Sequence, residues 1–291
     1  MHSLELLNGR LARVRLQLLI ESEATAHILD RGLAAPVGAW IEVDAGSRRS
    51  GVAWDDGGTL HAVANAITSS KSLRLQGLLT HAGNSYAARS LQDVAAIHTE
   101  TTTRMQRMRS WLMESGFLGL EISIGDTPAC SMLEEWGDVD EARPGNFVFY
   151  DLTQMTIGSC SAADVGFVVA CPVVAVHPER NEIVLYGGAV HLSKEMLPHL
   201  DGTPSYGAPS YGAVVWLQDG GWSEPISGAW LRSLSQEHGV IRAEKSAWDG
   251  GVGSVQVGDL LGVLPVHSCL TADLLKEYRT VAGERVRMMG W

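Results

Sequence analysis

The residues best suited to chemistry fall in four short stretches. His267-Ser268-Cys269 pairs an imidazole with a thiol two positions on. In an extended segment, residues i and i+2 project from the same side, so the pair could share one metal ion. Imidazole plus thiolate is a zinc-type donor set, with bond lengths of roughly 2.0 and 2.3 Å. Two ligands do not close a site, so water or substrate would complete it. A lone His-x-Cys is also a common coincidence. The second stretch, Ser123-Ile124-Gly125-Asp126-Thr127-Pro128, breaks an apolar strand at a glycine. It predicts a helix start with Thr127 as N-cap and Pro128 at the first helical position. Unpaired N–H groups and partial positive charge there suit an anion, although such a stretch alone is more often just a turn. The third stretch, Glu141-Ala142-Arg143-Pro144-Gly145-Asn146, sets a guanidinium beside a glycine whose backbone could approach a ligand closely. Arg143 could instead be a structural ion-pair partner of Glu141 or Asp151. The fourth holds His81, Gly83 and Tyr86 at a strand's C-terminal end, where a barrel builds its active site. A hydrogen-bonded core histidine and tyrosine fit there too.

The elements that must position these groups alternate. Apolar runs at 14–20, 40–45, 73–79, 118–124 and 139–143 read as strands. Between them, 21–33, 60–69, 91–114 and 129–136 read as helices, and 4–11 as the end of another. The alternation argues for parallel α/β architecture. Past Phe147 the pattern becomes short and β-rich, at 165–176, 182–186, 213–217, 239–243 and 253–257. Turn-rich segments such as 201–207 and the loop at 206–213 separate these runs. An antiparallel β domain is expected, dividing the chain into 1–154 and 155–291.

Composition narrows the partners. A net charge of −11 argues against non-specific nucleic-acid binding. No apolar run reaches the ~18 residues of a membrane helix. The first residues lack the apolar core and cleavage site of a signal peptide, so a cytoplasmic protein is expected. The four cysteines have no framework spacing and are expected as reduced thiols.

Four blocks, IGDTPACS (124–131), DEARPGNFVFYDLTQ (140–154), YGGAVHLSKE (186–195) and PVHSCLTADLL (265–275), occur in one order. Together they resemble the D-threonine aldolase / D-serine dehydratase family, which shares the alanine-racemase type of pyridoxal-phosphate (PLP) barrel. The resemblance runs from about Leu11 to Tyr278. It implies an incomplete (β/α)8 barrel followed by the β domain, with the five strands above as the family's last five. Roughly 90 residues of barrel would then precede Met1 in the family, at about 30 per strand–helix unit. Among those residues the family carries its Schiff-base lysine. None of Lys71, Lys194, Lys245 and Lys276 matches it.

The resemblance further implies that Thr127, with the backbone of Gly125 and Asp126, faces the PLP phosphate. The N–H groups of Gly145 and Asn146 close its other side. Arg143 matches the arginine beside the pyridine nitrogen, which its charge keeps unprotonated. His81 and Tyr86 become catalytic neighbours, though Asn84 stands where the family block His-x-Gly-His-Ser-Tyr has its second histidine. Dehydratase-like members hold zinc with the His267/Cys269 pair, whereas aldolases carry Asp for the cysteine. The block Gln236-Glu237-His238-Gly239 puts His238 near that metal. The implied activity is a metal-assisted lyase on D-configured β-hydroxy amino acids, working as a homodimer. An alanine-racemase-like racemase and a non-catalytic binding remnant are the alternatives.

Overall fold

The computed structural model describes residues 8–9, 14–197 and 210–288. The helix end expected at 4–11, apart from Asn8 and Gly9, lies outside them, as do the turn at 201–207 and most of the loop at 206–213. Two compact units divide between Gly145 and Asn146, on the N-terminal side of the expected 154/155 boundary.

In the first unit the strands are β1 (Gln17–Ile20), β2 (Val37–Asp44), β3 (Val52–Ala53), β4 (Leu73–His81), β5 (Glu121–Gly125) and β6 (Glu141–Ala142). The sheet order is β1-β2-β4-β5-β6, all parallel, with β3 on β2. Apart from the short β3, each strand thus joins beside its predecessor, as consecutive elements usually do. Among the described residues the sheet is open, and the eight-strand closure of a full barrel is not seen. The helices are α1 (Glu23–Gly32), α2 (Gly57–Thr68), α3 (Leu91–Glu114) and α4 (Thr127–Met132). Ser22, Asp56 and Ser90 cap the first three, each side chain accepting a backbone N–H three residues on. Such caps stabilise a helix by about 1 kcal/mol. The core lies where the helices cover one sheet face, around Ile41, Val43, Leu60, Val63, Leu78, Met105, Met108 and Ile122. At Gly77 the strands approach so closely that a Cβ would lie 2.0 Å from the Glu121 carbonyl oxygen. Only glycine fits there.

The second unit holds the expected antiparallel β domain, closed into a six-stranded barrel. It comprises β7 (Val169–His177), β8 (Glu182–Tyr186), β9 (Gly212–Val215), β12 (Ala229–Leu234), β13 (His238–Ala243) and β14 (Leu260–Pro265). Its order is β12-β13-β8-β7-β14-β9. Two small hairpins, β10 (Leu217–Gln218) with β11 (Gly221–Trp222) and β15 (Glu277–Arg279) with β16 (Arg285–Arg287), lie outside it. The helices are α5 (Leu152–Ile157), α6 (Ala189–Leu192), α7 (Lys245–Asp249) and α8 (Ser268–Leu275). The expected strand at 253–257 is instead a 3-10 turn over Val252–Ser254. Its glycines break the extended run. Among the described residues no helix is long and apolar enough to cross a membrane.

Candidate functional site

In the first unit, β4, β5 and β6 end side by side and deliver three of the four stretches to the C-terminal end of the sheet. His81 closes β4 opposite Gly125, which closes β5. Its Nδ1 lies 2.6 Å from the Gly125 carbonyl oxygen. A proton on Nδ1 makes that bond and leaves Nε2 as the acceptor. Burial pushes the imidazole pKa down, although the Gly125 carbonyl works against it. The neutral ring is therefore favoured at pH 7. Tyr86 lies beside it, ring centroids 6.2 Å apart.

The helix start after β5 differs from expectation. Asp126, not Thr127, is the N-cap: its backbone is extended and its carboxylate accepts the Ala129 N–H at 2.7 Å. A carboxylate reaches that N–H in competition with the threonine hydroxyl and carries charge that the helix start favours. Thr127 and Pro128 therefore occupy the first helical turn. The helix also ends at Met132, short of the expected 136. Asp126 is buried and takes a second bond from Ser85 Oγ at 3.1 Å. Burial raises its pKa against those bonds.

Arg143 follows β6. Its Nε donates to Ser123 Oγ at 2.6 Å and its Nη2 to the Thr80 carbonyl at 2.9 Å. Glu141 lies 3.4 Å from Nε and also accepts from Ser123. Of the two expected ion-pair partners, Glu141 is the one observed. The guanidinium is thus held across three neighbouring strands. A Cβ at Gly125 would meet the Arg143 carbonyl oxygen at 2.9 Å, whereas one at Gly145 would meet nothing within 4 Å. The turn and the open glycine suit a phosphate, and the fixed cation suits the ring-nitrogen end of PLP.

Among the described residues of the first unit, no lysine lies at the strand ends that carry His81, Gly125 and Arg143. Lys71 precedes β4, at the opposite end of the sheet. Lys194 is exposed. Lys245 and Lys276 pair with Asp249 and Asp273.

In the second unit, the His267/Cys269 pair expected to hold metal is not extended. His267 leaves β14 with extended backbone and is the residue before α8, and Cys269 lies in that helix's first turn. The helix start still brings the two together. A hydrogen bond with Cys269 is the main cause that raises the His267 pKa to about 9, with burial opposing and the Glu195 charge assisting. Among the described residues no third His, Cys, Asp or Glu joins them in a ready-made metal cluster. An imidazole and a thiol in contact, both partly exposed, fit an open two-ligand site.

Asp151 anchors this turn. Its carboxylate caps α5 at the Gln154 N–H (3.0 Å) and accepts the Ser268 N–H (3.1 Å) and the Asn146 side-chain amide (2.5 Å). Residue-by-residue reading missed it, and also missed Glu195, whose Oε2 lies 3.0 Å from His267 Nδ1. His238 pairs with Tyr186 across β13 and β8, their rings 6.0 Å apart.

Residues 7–152 match the alanine racemase N-terminal domain model, and residues 166–281 match the serine dehydratase domain model. The chain belongs to the D-threonine aldolase / D-serine dehydratase family. Within it, the chain is 28% identical over 288 residues to D-threo-3-hydroxyaspartate dehydratase of Delftia sp., covering 95% of this chain and 73% of that protein. It is 26% identical over 250 residues to D-serine dehydratase of Dictyostelium discoideum, covering 83% of this chain and 60% of that protein. The solved structure of the Delftia enzyme superposes with a TM-score of 0.82 at 28% identity, over 99% of this chain and 76% of that one. The enzyme of that name has also been solved as a histidine-to-alanine variant and as a cysteine-to-alanine variant two positions on, the latter metal-free.

Proposed function

We propose that this chain carries a phosphate-holding element and a metal-holding element of a PLP-dependent, metal-assisted lyase for D-configured β-hydroxy amino acids. Dehydration is favoured over retro-aldol cleavage. The His267/Cys269 pair carries this reading. A cysteine in that position is the dehydratase form of the ligand set, and the relatives above are named dehydratases. The same pair argues against a racemase, which needs no metal.

The turn at Gly125, Asp126 and Thr127, with the N–H group of Gly145, would hold the phosphate. When bound, PLP supplies an electron sink for the substrate's Cα. Arg143 is fixed by Ser123 and Thr80, and its positive charge would disfavour protonation of the ring nitrogen. His81 presents a neutral Nε2 that can accept a proton or a hydrogen bond from substrate. His267 and Cys269 would hold a divalent metal, most simply zinc, whose Lewis acidity suits the departing β-hydroxyl. Elimination removes the Cα proton and the β-hydroxyl and, after hydrolysis, yields an oxo acid and ammonia. Retro-aldol cleavage would give glycine and an aldehyde.

The lysine positions favour a second reading, a binding module without turnover. One experiment separates the two. The chain is incubated with PLP, zinc and D-serine, with and without a small primary amine to stand in for the lysine. The lyase reading expects ammonia release that requires the amine and stops with a chelator. A binding module gives no release under any of these conditions.

A further inference from the structure

The residue after α6 is strained. Ser193 has φ 68° and ψ −177°, a conformation that only glycine adopts without cost and that clusters at functional sites. Its hydroxyl accepts the Glu195 N–H at 3.2 Å. This tight turn carries Glu195 to the metal turn, where its Oε2 lies 3.0 Å from His267 Nδ1. The His267 main chain is held separately. Its carbonyl accepts both the Thr271 N–H and the Thr271 hydroxyl at 3.2 Å, and the next N–H is bound by Asp151. Backbone and ring therefore have different anchors, and Glu195 holds the ring at Nδ1, beside its contact with Cys269.

We propose that Glu195 is a positioning residue for the metal pair: it accepts the Nδ1–H of His267, fixes the tautomer and orients Nε2 to bind metal together with Cys269. The proposal rests on the metal-pair reading above. A carboxylate behind a ligand histidine fixes ring rotation and raises ligand basicity, and its loss typically costs about 10- to 100-fold in metal affinity. Glu195 is 49% exposed, so its replacement leaves the fold intact.

The test is zinc affinity of the full chain, measured by competition with a chromophoric chelator. Glu195→Ala should bind zinc about 10- to 100-fold more weakly than the unaltered chain, with an unchanged metal-free melting temperature. Glu195→Gln keeps an oxygen that accepts Nδ1–H and should recover most of that loss. His267→Ala should not bind. Equal affinity in Glu195→Ala and the unaltered chain overturns the proposal. So does a Gln variant as weak as the Ala variant, which would mean direct ligation or charge alone. An unaltered chain that takes up no zinc overturns the metal-pair reading itself, a result distinct from the other two.

Discussion

Replacing Asp151 with alanine removes an acceptor on which three donors converge. The carboxylate is 1% exposed, so water cannot readily substitute. Loss of the cap on α5 alone costs about 1 kcal/mol. The Ser268 N–H and the Asn146 amide are bonded to a charged group, and such bonds contribute roughly 1.5–3 kcal/mol each. The three share one carboxylate and are not additive, so the expected destabilisation is about 3–5 kcal/mol. Urea unfolding at neutral pH, read through tryptophan fluorescence, measures it. Hydrogen exchange at the Ser268 and Gln154 amides assigns it, because both should lose protection together. A loss near 1 kcal/mol with Ser268 still protected would refute the reasoning. Asp151 would then be only a helix cap, and the metal turn would have another anchor.

His81 predicts a pH dependence. Its folded pKa lies below the ordinary histidine value of about 6.5, so the unfolded chain takes up the proton first. Its stabilising contribution is present above that value and is lost as pH falls through it. Urea midpoints of His81→Asn should therefore fall less between neutral pH and about pH 5 than those of the unaltered chain; parallel curves would count against a buried neutral ring. Gly77→Ala should destabilise by about 3 kcal/mol, the upper end for overpacking, because the added carbon meets the Glu121 backbone rather than a movable side chain. A change below about 1 kcal/mol, well under that range, would show that β4 and β5 can separate there. Borohydride reduction after incubation with PLP should fix no cofactor on Lys71, Lys194, Lys245 or Lys276. Stoichiometric labelling of one of them, found by peptide mass, would mean that a lysine has been recruited.

The parallel half was largely legible because its signals are local. The α3 bounds agree with the 91–114 reading, since a serine caps its start and Gly116 follows its end. All five expected strands occur, shifted by a few residues. The barrel was harder. Ala229–Leu234 escaped notice because a register shift between Leu231 and Ser233 breaks its alternation. Leu260–Pro265 is an almost continuous apolar run, because all but its first residue is buried, and periodicity cannot class such a run. In the site, His267 and Cys269 were visible as a pair two residues apart. Glu195 lies 72 residues from His267, and Asp151 lies 117 from Ser268. No spacing rule reaches that far, so these supporting carboxylates emerged only from tertiary contacts. The N-cap assignment failed by one residue because Asp126 and Thr127 are both good caps and only the backbone decides between them.

Metal content of the purified full chain tests the central claim most directly. Elemental analysis after dialysis against trace zinc should find one zinc per chain, and Cys269→Ala and His267→Ala should each lose it while remaining folded. Equal metal content in the unaltered chain and in Cys269→Ala would contradict the account, because the pair on which the dehydratase reading stands would not be holding the metal.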